Sequence, residues 1–219
     1  MIKKLQQLKA RKGFTLVELI VVIAIIGVLA AILIPTMMNY VTSSRVQSLN
    51  STATSLKTDI QAWLTEQDGK GNTINRTRAA NIELTITVAT GVWTPSGAGT
   101  TAGANGVFLA AASQPANAFV ASSAANAAGG IASVLRDKFP TLTNGTIQVR
   151  IWDGSVVGVL YMPNVITTVT WTAIASTGPT ATTGVWTSAG ARRDGVDSSG
   201  TLFGSNPAHS TNIAAVANP

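Results

Sequence analysis

Hydrophobic and polar positions divide the chain into three patterns. From Leu16 to Ile34 all 19 residues are apolar or small, with Glu18 the one exception. Such a run makes about 28 Å of helix at ~1.5 Å per residue, close to a hydrocarbon core of about 30 Å. After Pro35 the pattern becomes amphipathic. Val41, Leu49, Ala53, Leu56, Ile60, Trp63 and Leu64 recur at helical spacing, and Arg45, Gln47, Lys57 and Asp59 occupy much of the other faces. One stripe on one helix accounts for this. The turn cluster Glu66-Gln67-Asp68-Gly69-Lys70-Gly71 stops it. The reading is a single helix over 14–66, apolar in its first half and amphipathic in its second, whose stripe needs a partner from downstream. In such a stripe Trp63 is a core residue.

Downstream, the period changes from helical to twofold. Ile82-Glu83-Leu84-Thr85-Ile86-Thr87-Val88 alternates as a half-buried strand does. Ile147–Trp152 and Ser155–Met162 flank Asp153-Gly154, which predicts a hairpin with a two-residue turn. Val165–Ala175 is a further strand-rich run, and Ile131, Val134, Leu135, Lys138 and Phe139 predict a short helix ended by Pro140. TGVWTPSGA (Thr90–Ala98) returns as TGVWTSAGA (Thr183–Ala191), identical at seven of nine positions. It reads as two similar edge strand–loop pieces or as chance in a Thr/Gly/Ala-rich chain. Two copies fall short of a solenoid. The expected fold is α+β: a long N-terminal helix packed by an antiparallel sheet head over 67–219, with the strand order left open.

Charge alters the picture at one place. The formal net charge is +6, but five of the 15 basic residues (Lys3, Lys4, Lys9, Arg11, Lys12) lie in the first 13 positions. The other ten face nine carboxylates, a net of +1. The basicity is thus a local tail and not a groove for phosphates. The pairs Arg76/Arg78 and Arg192/Arg193 lack interleaved aromatics and read as solvated loop charges, so no nucleic-acid site is evident. There is no cysteine and one histidine, His209. Disulfides, thiolate nucleophiles and Cys-based metal sites are excluded, and no catalytic constellation is present. Asp194 and Asp197 share a Gly-rich loop. Hard oxygen ligands there suit calcium, but the spacing matches no EF-hand loop and two arginines adjoin it. The bland reading is a polar turn, with no cofactor.

The basic tail before the apolar run orients the chain with its N-terminus in the cytoplasm and its bulk exported. A secretory signal cut after Val28-Leu29-Ala30 is opposed by the apolar residues that continue to Ile34 and by Glu18. A plain single-pass anchor leaves Glu18 unexplained, because an acid at the membrane asks for a partner.

KGFTLVELIVVIAIIGVLAAILIP (Lys12–Pro35) resembles the prepilin signature of bacterial type IV pilins and type II secretion pseudopilins. Gly13 ends a basic leader, Phe14 follows, Glu18 stands fifth after the Gly–Phe bond, and Pro35 and Tyr40 follow in register. The resemblance covers about the first 45 residues. It implies a leader over 1–13, cut by a prepilin peptidase between Gly13 and Phe14, N-methylation of Phe14, and an assembly role for Glu18. Pro35 would kink or unwind the helix. It further implies a homopolymer, an assembly ATPase and an inner-membrane platform as partners, membrane lipid before assembly, and a cell-surface filament afterwards.

The chemistry of the residues runs alongside. The cut would free the Phe14 amine, four residues from Glu18 and on the same helix face; in the uncut chain that cation is missing. Glu18 can pair within its own chain, reach the amine of a neighbouring subunit, or snorkel to the interface. Gly27 would let helices approach closely in lipid or is an ordinary small residue. The expected function is a pilus subunit. The alternatives are a pseudopilin of a type II secretion-like or DNA-uptake system and a membrane-anchored surface binding protein that never polymerises.

Overall fold

The computed structural model describes residues 14–76, 82–103, 105–125, 128–164, 169–173, 184–188, 195–197, 199 and 201–207. Helix α1 spans Leu16–Gly69, three residues past the expected Glu66. The chain divides into two compact units at Ser44/Arg45, within that helix.

In the first unit every described residue up to Val41 is exposed except Ala30, which is partly covered. This stretch makes α1 long and apolar enough to cross a membrane. The expected unwinding at Pro35 does not break the helix, which is continuous there. Proline withholds the amide that would reach the carbonyl four residues back. Next to it, Thr36 Oγ1 donates to Leu33 O at 2.9 Å, so a side chain serves a carbonyl of the same turn.

The second unit is α+β. Strands β1 (Ile82–Ala89), β2 (Val92–Ser96), β3 (Gly145–Trp152), β4 (Ser155–Met162) and β7 (Gly204–Asn206) form one sheet in the order β2-β1-β3-β4-β7. All its pairings are antiparallel. Strands β5 (Val169–Ala173) and β6 (Gly184–Ser188) form a separate two-stranded sheet. Helix α2 (Ile131–Lys138) ends one residue before Phe139. The β3–β4 hairpin turns on Asp153-Gly154 as expected. Both residues have positive φ, 50° and 76°, as a type I′ turn requires. Thr90-Gly91 repeats the device between β1 and β2, with φ of 50° and 77°.

The alternation in β1 buries Ile82, Leu84, Ile86 and Val88. They join Ile147, Val149 and Ile151 of β3 in one core with Ala53, Leu56, Ile60, Trp63 and Leu64 of α1. The stripe of α1 is therefore covered by the sheet. It begins at Val46 and ends at Gln67, both buried, whereas Val41 is exposed. A second cluster on the other face of β4 gathers Leu160, Met162, Val169, Trp186 and Phe203, with Trp171 against it. Gly158 lets Trp171 approach, since a Cβ there would stand 2.3 Å from the indole ring. Both TGVWT copies place their tryptophan on a strand and bury it: Trp93 on edge strand β2 and Trp186 on β6.

Short strand β7 lies against α1. A Cβ on Gly204 would stand 2.1 Å from the Leu49 carbonyl carbon and oxygen, so only glycine fits. Around it, Ser205 N donates to Asn50 Oδ1 at 2.9 Å. Asn206 Nδ2 donates to Thr54 Oγ1 at 2.9 Å, and Lys57 Nζ donates to Asn206 Oδ1 at 3.1 Å. Burial lowers the Lys57 pKa. In a chain without cysteine, this polar ladder ties the C-terminal strand to the helix.

Candidate assembly site at the helix N-terminus

The first turn of a helix leaves amides without carbonyl partners. Here Thr15 precedes α1 and Glu18 is the acid of its first turn. Thr15 N donates to Glu18 Oε2 at 2.9 Å, Thr15 Oγ1 donates to the same oxygen at 2.7 Å, and Glu18 N donates to Thr15 Oγ1 at 3.3 Å. This is a capping box: the threonine hydroxyl and the glutamate carboxylate each accept from an amide of the turn. The positive end of the helix dipole favours the carboxylate at the same place.

The sequence reading gave Glu18 no function until Phe14 is freed. The structure corrects that. Glu18 has two donors in the intact chain, and both belong to Thr15. The signal was legible as T-x-x-E directly ahead of an apolar run, and the missed residue is Thr15.

The other expected positions fall as follows. Phe14 is 79% exposed and stands one residue before the cap. Gly13 and the basic leader lie outside the described residues. Gly27 has no atom within 4 Å of where its Cβ would be, so it leaves a notch in an exposed helix surface. Pro35 lies inside α1, and Tyr40 is 76% exposed.

Of the calcium candidates, Asp194 lies outside the described residues. Asp197 is buried and its carboxylate is engaged by its own loop. Oδ1 accepts from Ser199 N at 3.0 Å and Thr201 N at 2.7 Å, and Ser199 Oγ lies 2.8 Å from both oxygens. Among the described residues no cluster of three or more His, Asp or Glu could hold a metal. Arg76 pairs with Asp68 at 2.8 Å, both partly exposed, as a loop charge should; Arg78, Arg192, Arg193 and His209 lie outside the described residues.

A family profile described as a prokaryotic N-terminal methylation motif matches residues 8–34. Residues 8–34 carry that N-terminal motif. The similar relatives agree. The type IV major fimbrial protein FimA of Dichelobacter nodosus is 48% identical over 60 residues, 27% of this chain and 37% of that protein. A fimbrial protein of Pseudomonas aeruginosa is 46% identical over 59 residues, 27% of this chain and 38% of that protein. Fimbrial protein Q of Moraxella bovis is 42% identical over 74 residues, 34% of this chain and 45% of that protein. The chain thus spans less than half the length of these relatives. No solved structure matches the chain.

Proposed function

We propose that the chain is the structural subunit of a type IV pilus filament and has no enzymatic role. The observation that carries this is the prepilin segment over 8–34, which continues into an exposed apolar helix with an acid at its head. A prepilin peptidase cuts between Gly13 and Phe14, and Phe14 is methylated. The N-terminal part of the helix over 14–66 then serves first as a membrane anchor and later as filament core, while 67–219 form the exported head. Lipid surrounds the helix until other copies replace it. An assembly ATPase and a membrane platform drive that exchange.

Glu18 sets the stagger between helices. A carboxylate in an apolar bundle is tolerable when paired, and the nearest cation that processing makes is the Phe14 ammonium. A neighbour that must bring its ammonium to Glu18 is held at one offset.

The test has two arms. Mass spectrometry of sheared surface filaments should find this chain beginning at a methylated Phe14; a mature N-terminus at Ala31 would instead mark an ordinary secretory signal. Glu18→Ala should leave membrane insertion intact and abolish filaments. Normal filaments from that variant would remove the assembly role.

A further inference from the structure

A group of unpaired polar atoms lies on the second face of the larger sheet, under the β5–β6 hairpin. Arg150 and Gly158 stand opposite each other on β3 and β4, and Trp171 of β5 rests against Gly158. Trp171 meets Trp186 of β6 edge-on at 5.0 Å. The Arg150 guanidinium carbon lies 5.9 Å from the centre of the Trp186 ring. Ser205 of β7 is the register partner of Leu160, which packs in the same layer. Four buried polar atoms here have no hydrogen-bond partner: Arg150 Nε, Trp171 Nε1, Trp186 Nε1 and Ser205 Oγ. Among the described residues only Trp152 Nε1 joins them. The core on the helix side is different. There Trp63 Nε1 donates to Gly129 O at 3.2 Å, and Ser122 Oγ accepts from Trp93 N at 3.1 Å.

Three of the four are N–H groups that can only donate. A buried donor without an acceptor forfeits its bonds to water and gains none in return. Both sides of the layer carry this penalty, Arg150 and Ser205 on the sheet, Trp171 and Trp186 on the hairpin. Separating the two sides lets water reach all four at once. The backbone offers little opposition. Strands β5 and β6 pair with each other, and among the described residues no strand of the larger sheet pairs with either. A two-stranded ribbon is marginal on its own; what packs it down is the apolar cluster with Leu160, Met162 and Phe203. We infer that the β5–β6 hairpin is a flap, which opens from the sheet as a unit while β1, β3 and α1 stay folded. The open form bares Trp171, Trp186 and the Arg150–Glu83 pair, now joined at 2.6 Å. It presents an aromatic and charged surface that the closed head hides. The flap is independent of the filament reading above.

The chain lacks cysteine, so single thiols report on each face of β4. Met162 and Val159 are both buried, at 1% and 0%, Met162 in the hairpin layer and Val159 in the helix-side core. Full-length Met162→Cys and Val159→Cys are treated in detergent with a maleimide dye, under conditions where the chain stays folded. Met162→Cys should label about a hundredfold faster or more, because local opening reaches it and only global unfolding reaches Val159→Cys. Ser205→Cys removes no apolar contact and should label as fast, so a layer loosened by the loss of Met162 does not decide the matter. Adding Ser205→Ala to Met162→Cys should slow its labelling about threefold or more, since the closed state no longer buries that hydroxyl. Labelling of Met162→Cys or Ser205→Cys at the Val159→Cys rate overturns the flap. An unchanged rate on adding Ser205→Ala overturns the unpaired donors as its cause.

Discussion

Gly204→Ala is the sharpest test of how the C-terminal strand is held. The added Cβ would sit 2.1 Å from Leu49 C and O and 2.6 Å from Asn50 N. All of these are backbone atoms, so no rotamer change relieves the clash. Either α1 shifts or β7 leaves it. Overpacking a tight contact costs about 1–3 kcal/mol. Retreat of β7 also removes the bonds from Ser205 N to Asn50, Asn206 to Thr54 and Lys57 to Asn206, each worth about 1 kcal/mol net. These penalties overlap, because whichever movement relieves the clash forgoes the bonds, so the loss is about 3 kcal/mol. At roughly 2–4 °C per kcal/mol for a chain of this size, the unfolding midpoint falls by about 6–12 °C. Circular dichroism on the full chain in detergent measures it. Gly69→Ala is the control. It has no atom within 4 Å, so it should leave the midpoint unchanged or raise it slightly. A Gly204→Ala midpoint within about 2 °C of the parent would refute the claim that β7 is locked to α1 at this crossing.

Other predictions concern the head. Burial raises the Tyr161 pKa above its ordinary value of 10.0. Above pH 10 the folded state therefore holds the phenol proton longer than the unfolded chain, and stability falls as pH rises. Tyr161→Phe should remove that part of the alkaline loss, read from midpoints between pH 9 and about 11.5. Asp197 has its carboxylate filled by Ser199 and Thr201, so calcium or a chelator should leave the midpoint unchanged. Asp197→Ala should cost about 1–3 kcal/mol, because the donors lose a buried acceptor. Gly158→Ala would push a Cβ to 2.3 Å from the Trp171 ring. It should disturb the Trp171–Trp186 edge-to-face pair, now 5.0 Å between centroids, and near-ultraviolet circular dichroism should lose intensity. An unchanged spectrum would place Trp171 elsewhere.

Features set by neighbours in the chain were legible before the structure. Asp153-Gly154 announced a hairpin because few residue pairs supply two positive φ values, and twofold alternation announced β1. The same turn logic at Thr90-Gly91 went unread, since threonine is a poor guide to positive φ. Where the amphipathic stripe begins was misplaced. Val41 fits the helical period, but only from Val46 onward is the stripe buried, and periodicity cannot say where a partner starts. The order β2-β1-β3-β4-β7 depends on pairings between distant segments, which no local pattern carries. The role of Gly204 is likewise invisible locally, because it depends on Leu49 across the fold. Asp197 reads from sequence as part of a polar turn with calcium a weak alternative, because sequence shows a carboxylate without showing its donors.

Glu18 joins the local and the long-range arguments. Both Thr15 bonds fall on Oε2, which leaves Oε1 to accept from an ammonium. The proposed cut at Gly13 keeps Thr15 as the second residue, so its amide and hydroxyl survive processing and the capping box persists. The box then does more than end a helix. It fixes the rotamer of a carboxylate, and the proposed cut would place a cation beside its second oxygen on every subunit. An acid held in one orientation specifies an offset between helices better than one free to snorkel. The same threonine that holds Glu18 in the intact chain would thus make it directional after the proposed cut.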